Sequence, residues 1–133
     1  MDNKIQFAAR IVLGLIFFVF GGMGLGIAFG LIHMPFPPMP AAAQGFMKGM
    51  LGTGYFFQFL KLTETTCGFL LLTGIATPLV LVIIAPVTIN IVLFNAFLMP
   101  SSGDLVLPLV MAVAQIIAMS AYWKLYQPLF AKK

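Results

Sequence analysis

The feature that most constrains this chain is an uninterrupted apolar run over about residues 7–32, in which Arg10, near the start, is the one charge. The run exceeds the ~20 residues that a helix needs to cross a bilayer, so it can span with some tilt. It is too long for the apolar core of a cleavable signal peptide, and no small-x-small cleavage site ends it. Three further runs follow, at about 55–75, 79–99 and 105–126. The second is less clean, because Lys61, Glu64 and several threonines lie inside it. Pro78, Pro100 and Pro108 punctuate the ends, as residues that start or break helices do. Pro86 lies inside the third run, where it removes a backbone donor and predicts a kink.

Composition narrows the class. Only 8% of the 133 residues are charged and 62% are hydrophobic, whereas soluble domains carry roughly a quarter charged residues. That excludes a soluble bundle, and it excludes disorder, which needs low hydrophobicity. The seven Lys and Arg are scattered and form no basic stripe, which excludes nucleic acid as a partner. The expectation is therefore an all-α membrane protein, a four-transmembrane-helix bundle forming a single domain over 1–133, with the lipid bilayer as its surroundings and no internal repeat.

Four spans put both termini on one side. Lys4 and Arg10 mark the N-terminal end, and Lys124, Lys132 and Lys133 the C-terminal end; the first loop carries Lys48 alone, and residues 99–104 carry no basic residue. The positive-inside rule then makes both termini cytoplasmic. The net charge of +4 reads as membrane orientation rather than polyanion binding. Tyr122, Trp123 and Tyr126 fit an interfacial aromatic belt. In the first loop, residues 33–40 hold four of the nine prolines, which predicts extended polyproline II. Residues 41–51 then read as a short helix, with Phe46, Met47, Met50 and Leu51 at helical spacing. It is either an interfacial helix lying on the outer leaflet or a lid over an outward-facing pocket.

Chemistry is sparse. One cysteine, Cys67, rules out an intrachain disulfide and a paired redox motif. One histidine, His33, rules out a bis-His haem within one chain, and with Glu64 and Asp104 it makes no convincing metal set. No nucleotide loop or Ser-His-Asp set is present, which disfavours a stand-alone enzyme. The informative segment is residues 61–67. Lys61 and Glu64 stand three apart and share a helix face, so they can partly neutralise each other. Charges within a span cost a few kcal/mol and are functional candidates by default. Entering from the outer side, Lys61 lies roughly 9 Å and Glu64 roughly 14 Å below Tyr55. Lys61 can snorkel to the interface; Glu64 cannot and needs a polar partner. On the third span, Asn90 lies roughly 14 Å and Asn95 roughly 6 Å below Met99, about 140° apart around the helix. Asn90 is the favoured inward group, Asn95 the rim, and Gln115 on the fourth span, near the midplane, is a third contributor. Two readings stand: interhelical hydrogen bonding, each contact worth under ~2 kcal/mol, or a ligand-binding or proton-linked site.

Other residues carry paired readings too. Gly22, Gly26 and Gly30, at four-residue spacing with Gly21 and Gly24 beside them, suit close packing against a neighbouring helix or a second copy of the chain, or a bare wall beside a flat ligand. Cys67 is a buried small hydrophobe or a redox-active thiol. His33 caps the outer end of the first span or sits at a pocket mouth. Arg10 snorkels to the cytoplasmic interface.

The stretch 9–21 (ARIVLGLIFFVFG) resembles the opening of DoxX-type membrane proteins. So do the proline-rich loop, Gly54-Tyr55, Lys61-Leu-Thr-Glu64, the stretch 68–72 and residues 85–94 with Ala-Pro-Val-x-x-Asn. The resemblance extends to about Pro128, and its specificity lies in the combination of elements. Where many relatives carry His after Leu-Phe, this chain has Asn95, which removes a titratable group and argues against a proton relay there. The resemblance implies a four-helix protein of the bacterial inner membrane. It also implies an accessory or non-catalytic subunit of a quinone- or thiol-linked redox or oxidative-stress system, working with a redox partner protein. Distant relatives act as membrane chaperones. On this basis Lys61, Glu64, Asn90, Asn95, Gln115 and His33 form the candidate ligand set, with a quinone-like or lipid-like molecule as ligand and no metal or haem. Glu64 accepts hydrogen bonds or holds a proton, and Lys61 balances its charge or contacts a ligand oxygen. The alternatives are a structural or assembly protein and a small transporter.

Overall fold

The computed structural model describes residues 3–33, 38–99 and 102–131. Half of the loop expected to be extended, residues 34–37, lies outside them, as do Pro100, Lys132 and Lys133. The described residues form six α-helices and two short 3-10 turns, and no strand. The helices are α1 (Asn3–Ala28), α2 (Ala41–Gly52), α3 (Phe56–Thr73), α4 (Thr77–Phe97), α5 (Val106–Ser120) and α6 (Trp123–Tyr126).

Three segments, Asn3–Ala28, Thr77–Phe97 and Gly103–Ser120, are long and apolar enough to cross a membrane. α3 has 18 residues, about 27 Å of helix, but Gln58, Lys61 and Glu64 hold its hydropathy below that of the other three. The four long helices close into a ring in which α1 and α4 each pack against both α3 and α5. Leu13, Phe17, Leu71, Leu81 and Ile84 fill the centre, buried from all sides. The outer faces are apolar as well: Leu15 and Val19 on α1, Ile83 on α4, and Val113 and Ile116 on α5 are exposed. A helix that is hydrophobic all round belongs in lipid, and the chain is a small multi-pass helical membrane protein.

The tightest pair is α1 with α3. A Cβ on Gly68 would collide with the Phe18 backbone nitrogen, and one on Gly21 would fall 2.7 Å from the Thr65 nitrogen. The contact glycines are thus Gly14, Gly21 and Gly24 of α1 against Gly68 of α3, a heptad-like register. The expected four-spaced face is not the one used. Gly22 faces open space, Gly26 meets the Ile32 side chain, and Gly30 lies beyond the helix. Gly30 takes φ +76° and ends α1 in a Schellman turn: the Leu31 N–H donates to the Gly26 carbonyl at 2.8 Å and the Gly30 N–H to Ile27 at 3.2 Å. That backbone closure serves the end of α1, the role expected of His33, which lies exposed beyond the turn.

Pro86 lies inside α4, which runs as helix on both sides of it. One other expectation shifts. The fourth apolar run does not stay helical to Tyr126: α5 ends at Ser120, a turn at Ala121–Tyr122 follows, and the short α6 leads into a 3-10 turn at Gln127–Phe130. Tyr126 is buried, and its hydroxyl donates to the Pro78 carbonyl at 2.7 Å, tying this segment to the start of α4. Trp123 stays exposed.

Candidate functional site

Lys61 and Glu64 lie one turn apart on α3, and their side chains pair, Nζ to Oε2 at 3.3 Å. Glu64 is 2% exposed, whereas the Lys61 side chain keeps 21% of its surface open. Glycine on α1 makes room for the pair. A Cβ on Gly24 would lie 2.5 Å from Lys61 Cδ, and one on Gly21 would lie 3.0 Å from Glu64 Cβ. The Phe57 ring sits under the ammonium at 5.6 Å, within cation–π range. Thr65 turns its hydroxyl back to the Lys61 carbonyl at 2.7 Å, so it is spent on its own helix.

The pair stands between two cavities. The first, about 160 Å³, lies between α3, α4 and α2, with Phe46, Met47 and Met50 of α2 on one wall and Asn90 and Phe94 of α4 on another. The second, about 270 Å³, lies toward α1 and α5 and is bounded by Phe17, Phe20, Asp104 and Met111. Lys61, Glu64, Ile91 and Asn95 line both. Each is smaller than the ~300 Å³ at which pockets for drug-sized ligands begin, so each fits a ring-sized group rather than a whole large molecule. α2 covers the first cavity: Ala43 is buried and the Phe46 ring packs on Phe94 at 5.3 Å between centroids. α2 thus forms one wall of this cavity, and its Gln44, Gly45, Lys48 and Gly49 face outward.

The two asparagines exchange their expected places. Asn90 is exposed and borders the first cavity alone, while Asn95 is half-buried and borders both. Asn95 donates to the Ile91 carbonyl at 2.9 Å. Gln115 is elsewhere. Its amide donates to the Leu81 carbonyl at 2.7 Å and lies 3.3 Å from the Met119 sulfur, and its oxygen accepts from the Thr88 hydroxyl at 3.1 Å. It lines neither cavity and ties α5 to α4 on both sides of Pro86. His33 lines neither cavity either. Cys67, one turn below Glu64, packs in the central cluster beside Phe17 and Leu71. Among the described residues no group of three or more His, Cys, Asp or Glu converges.

Sequence reasoning missed two contributors. Asp104 was weighed only as a metal ligand, yet it borders the second cavity. Gly24, which the sequence places at a close helix contact or beside a flat ligand, is where the Lys61 stem lies. A small residue on one helix level with a long charged residue on the next was the available signal. Searches of protein-family models, curated proteins and solved structures give no match for this chain.

Proposed function

We propose that the chain is a DoxX-like four-span protein of the bacterial inner membrane, with both termini cytoplasmic and α3 as its second span. In this reading it binds a quinone-like or lipid-like ligand beside the Lys61–Glu64 pair, as the non-catalytic subunit of a quinone- or thiol-linked redox system. The supporting observation is the placement of that pair. It lies within one helix, so it makes no bond between helices, and it forms the polar wall between two cavities. An ion pair kept only to lock a bundle would be expected to cross between helices and to be packed solid. Here Lys61 offers an ammonium donor, Glu64 fixes that ammonium in place, and Asn95 borders the same two spaces. A ring bearing a carbonyl or phenol oxygen would enter from the bilayer, take its hydrogen bond from Lys61 and lie under the aromatic and methionine side chains of α2.

The test uses the full chain in lipid nanodiscs with a short-chain ubiquinone as probe. Glu64→Gln should weaken binding with the thermal midpoint kept. A lowered midpoint with intact binding would instead assign the pair to the bundle's structure. Uptake of the probe by proteoliposomes, lost in the same variant, would assign it to transport. Oxidation of thiosulfate or a thiol by quinone with the purified chain alone would overturn the non-catalytic role.

A further inference from the structure

The opposite end of the bundle, which carries both termini, holds a polar pocket that the redox reading does not use. It measures about 190 Å³ and lies between the start of α1 and the end of α5, with Asn3, Gln6, Arg10 and Tyr122 on its wall. Arg10 is held there firmly. Its guanidinium stacks on the Phe7 ring at 4.9 Å, and its Nη1 lies against Gly74, where a Cβ would come within 2.6 Å. Its Nε is buried and has no hydrogen-bond partner among the described residues. The carboxylates of the described residues, Glu64 and Asp104, border the cavity at the other end of the bundle. A guanidinium carries five donors in a planar fork suited to carboxylate or phosphate oxygens, and a buried donor such as this Nε is costly to leave without an acceptor.

Beside this pocket runs an apolar groove of about 490 Å³ along α4 and α5 under the C-terminal segment, lined by Val82, Ile116, Met119, Trp123 and Phe130. The two meet at one contact: Gln6, on the polar wall, donates to Ser120, on the groove wall, at 3.1 Å. Ile116 and Trp123 are exposed, so the groove opens to the surroundings of the bundle.

We propose that the pocket and groove together bind one anionic phospholipid, its phosphate on Arg10 and one acyl chain along the groove. The chemistry favours this occupant. A phosphate diester accepts the guanidinium fork. Basic pockets between membrane helices at the interface take anionic headgroups. The adjoining groove offers apolar surface that inorganic phosphate would leave empty.

The experiment adds phosphatidylglycerol, phosphatidylcholine or inorganic phosphate to the full chain in neutral detergent, and reads lipid retention by native mass spectrometry and the thermal midpoint. Phosphatidylglycerol should be retained about tenfold better than phosphatidylcholine, whose choline cation competes with Arg10 for the phosphate, and should raise the midpoint, an effect of the size of one charge-assisted contact. Inorganic phosphate should do neither. Arg10→Gln should erase the preference while leaving the ubiquinone probe bound as before. Ile116→Trp, which fills the groove, should weaken both lipids and keep the preference. Equal retention of the two lipids by the unaltered chain, a preference that survives Arg10→Gln, or unchanged lipid binding in Ile116→Trp would each overturn the proposal. Stabilisation by inorganic phosphate equal to that by the lipid would reassign the pocket to a small anion and overturn it likewise.

Discussion

Two polar clusters sit inside this apolar bundle, and they are built in opposite ways. Around Gln115, each polar group of the amide meets a partner on a neighbouring helix, and neither of the two cavities beside Glu64 borders it. Around Glu64, the ion pair is confined to α3, and space lies on both sides. Hydrogen bonds that cross between helices hold a membrane bundle together, at roughly 0.6 kcal/mol each and up to ~1.7. A charge pair that joins no helices contributes nothing of that kind, yet it carries the burial cost of an ionised group. The contrast supports a stabilising role for the first cluster and, in the proposed reading, a binding role for the second.

The largest expected effect is that of Glu64→Gln, which should weaken the ubiquinone probe by about 10–100-fold, the range of a lost charge-assisted contact, in equilibrium binding to nanodiscs. Gln115→Ala should do the reverse, lowering unfolding stability by about 1–2 kcal/mol in thermal or denaturant melts while binding holds. If both variants lose stability alike and neither loses binding, the contrast fails. Gly24→Val should push the Lys61 stem aside and cost about fivefold in binding, since a displaced donor forfeits most of one hydrogen bond. Asn95→Ala should cost about threefold and Asn90→Ala less, because Asn95 borders both spaces; the reverse order would restore Asn90 as the inward group. The smallest effect is the coupling between clusters. The stability changes of Glu64→Gln and Gln115→Ala should add within ~0.5 kcal/mol, as for sites with no shared partner.

Much of this architecture could be read from residue order. The spacing of Phe46, Met47, Met50 and Leu51 anticipated α2, and the polar break in the second apolar run located α3 to within two residues at each end. The misplaced faces share one cause. Helical rise gives depth, but the direction in which a side chain points depends on the neighbours that pack around the helix. Asn90 was assigned the inward place from depth alone, and Asn95 holds it. Glycines four apart looked like the packing face of α1, but Gly68 on α3 selects Gly14 and Gly21 instead, a choice visible only when both helices are in place. Helix ends failed for a local reason. Leucine and isoleucine run on past Ala28, but the left-handed Gly30 stops the helix, so His33 lands outside it. The fourth run stayed apolar past Ser120, and hydropathy gave no sign of the turn there.

Because Lys61 and Glu64 share one helix, α3 brings its own counter-ion. In the four-span reading, it could leave the insertion machinery already neutralised, without waiting for α4 or α5 to supply a partner. Biogenesis of the bundle would then tolerate α3 entering the bilayer early, docking on the glycine face of α1 as a hairpin before the later helices emerge.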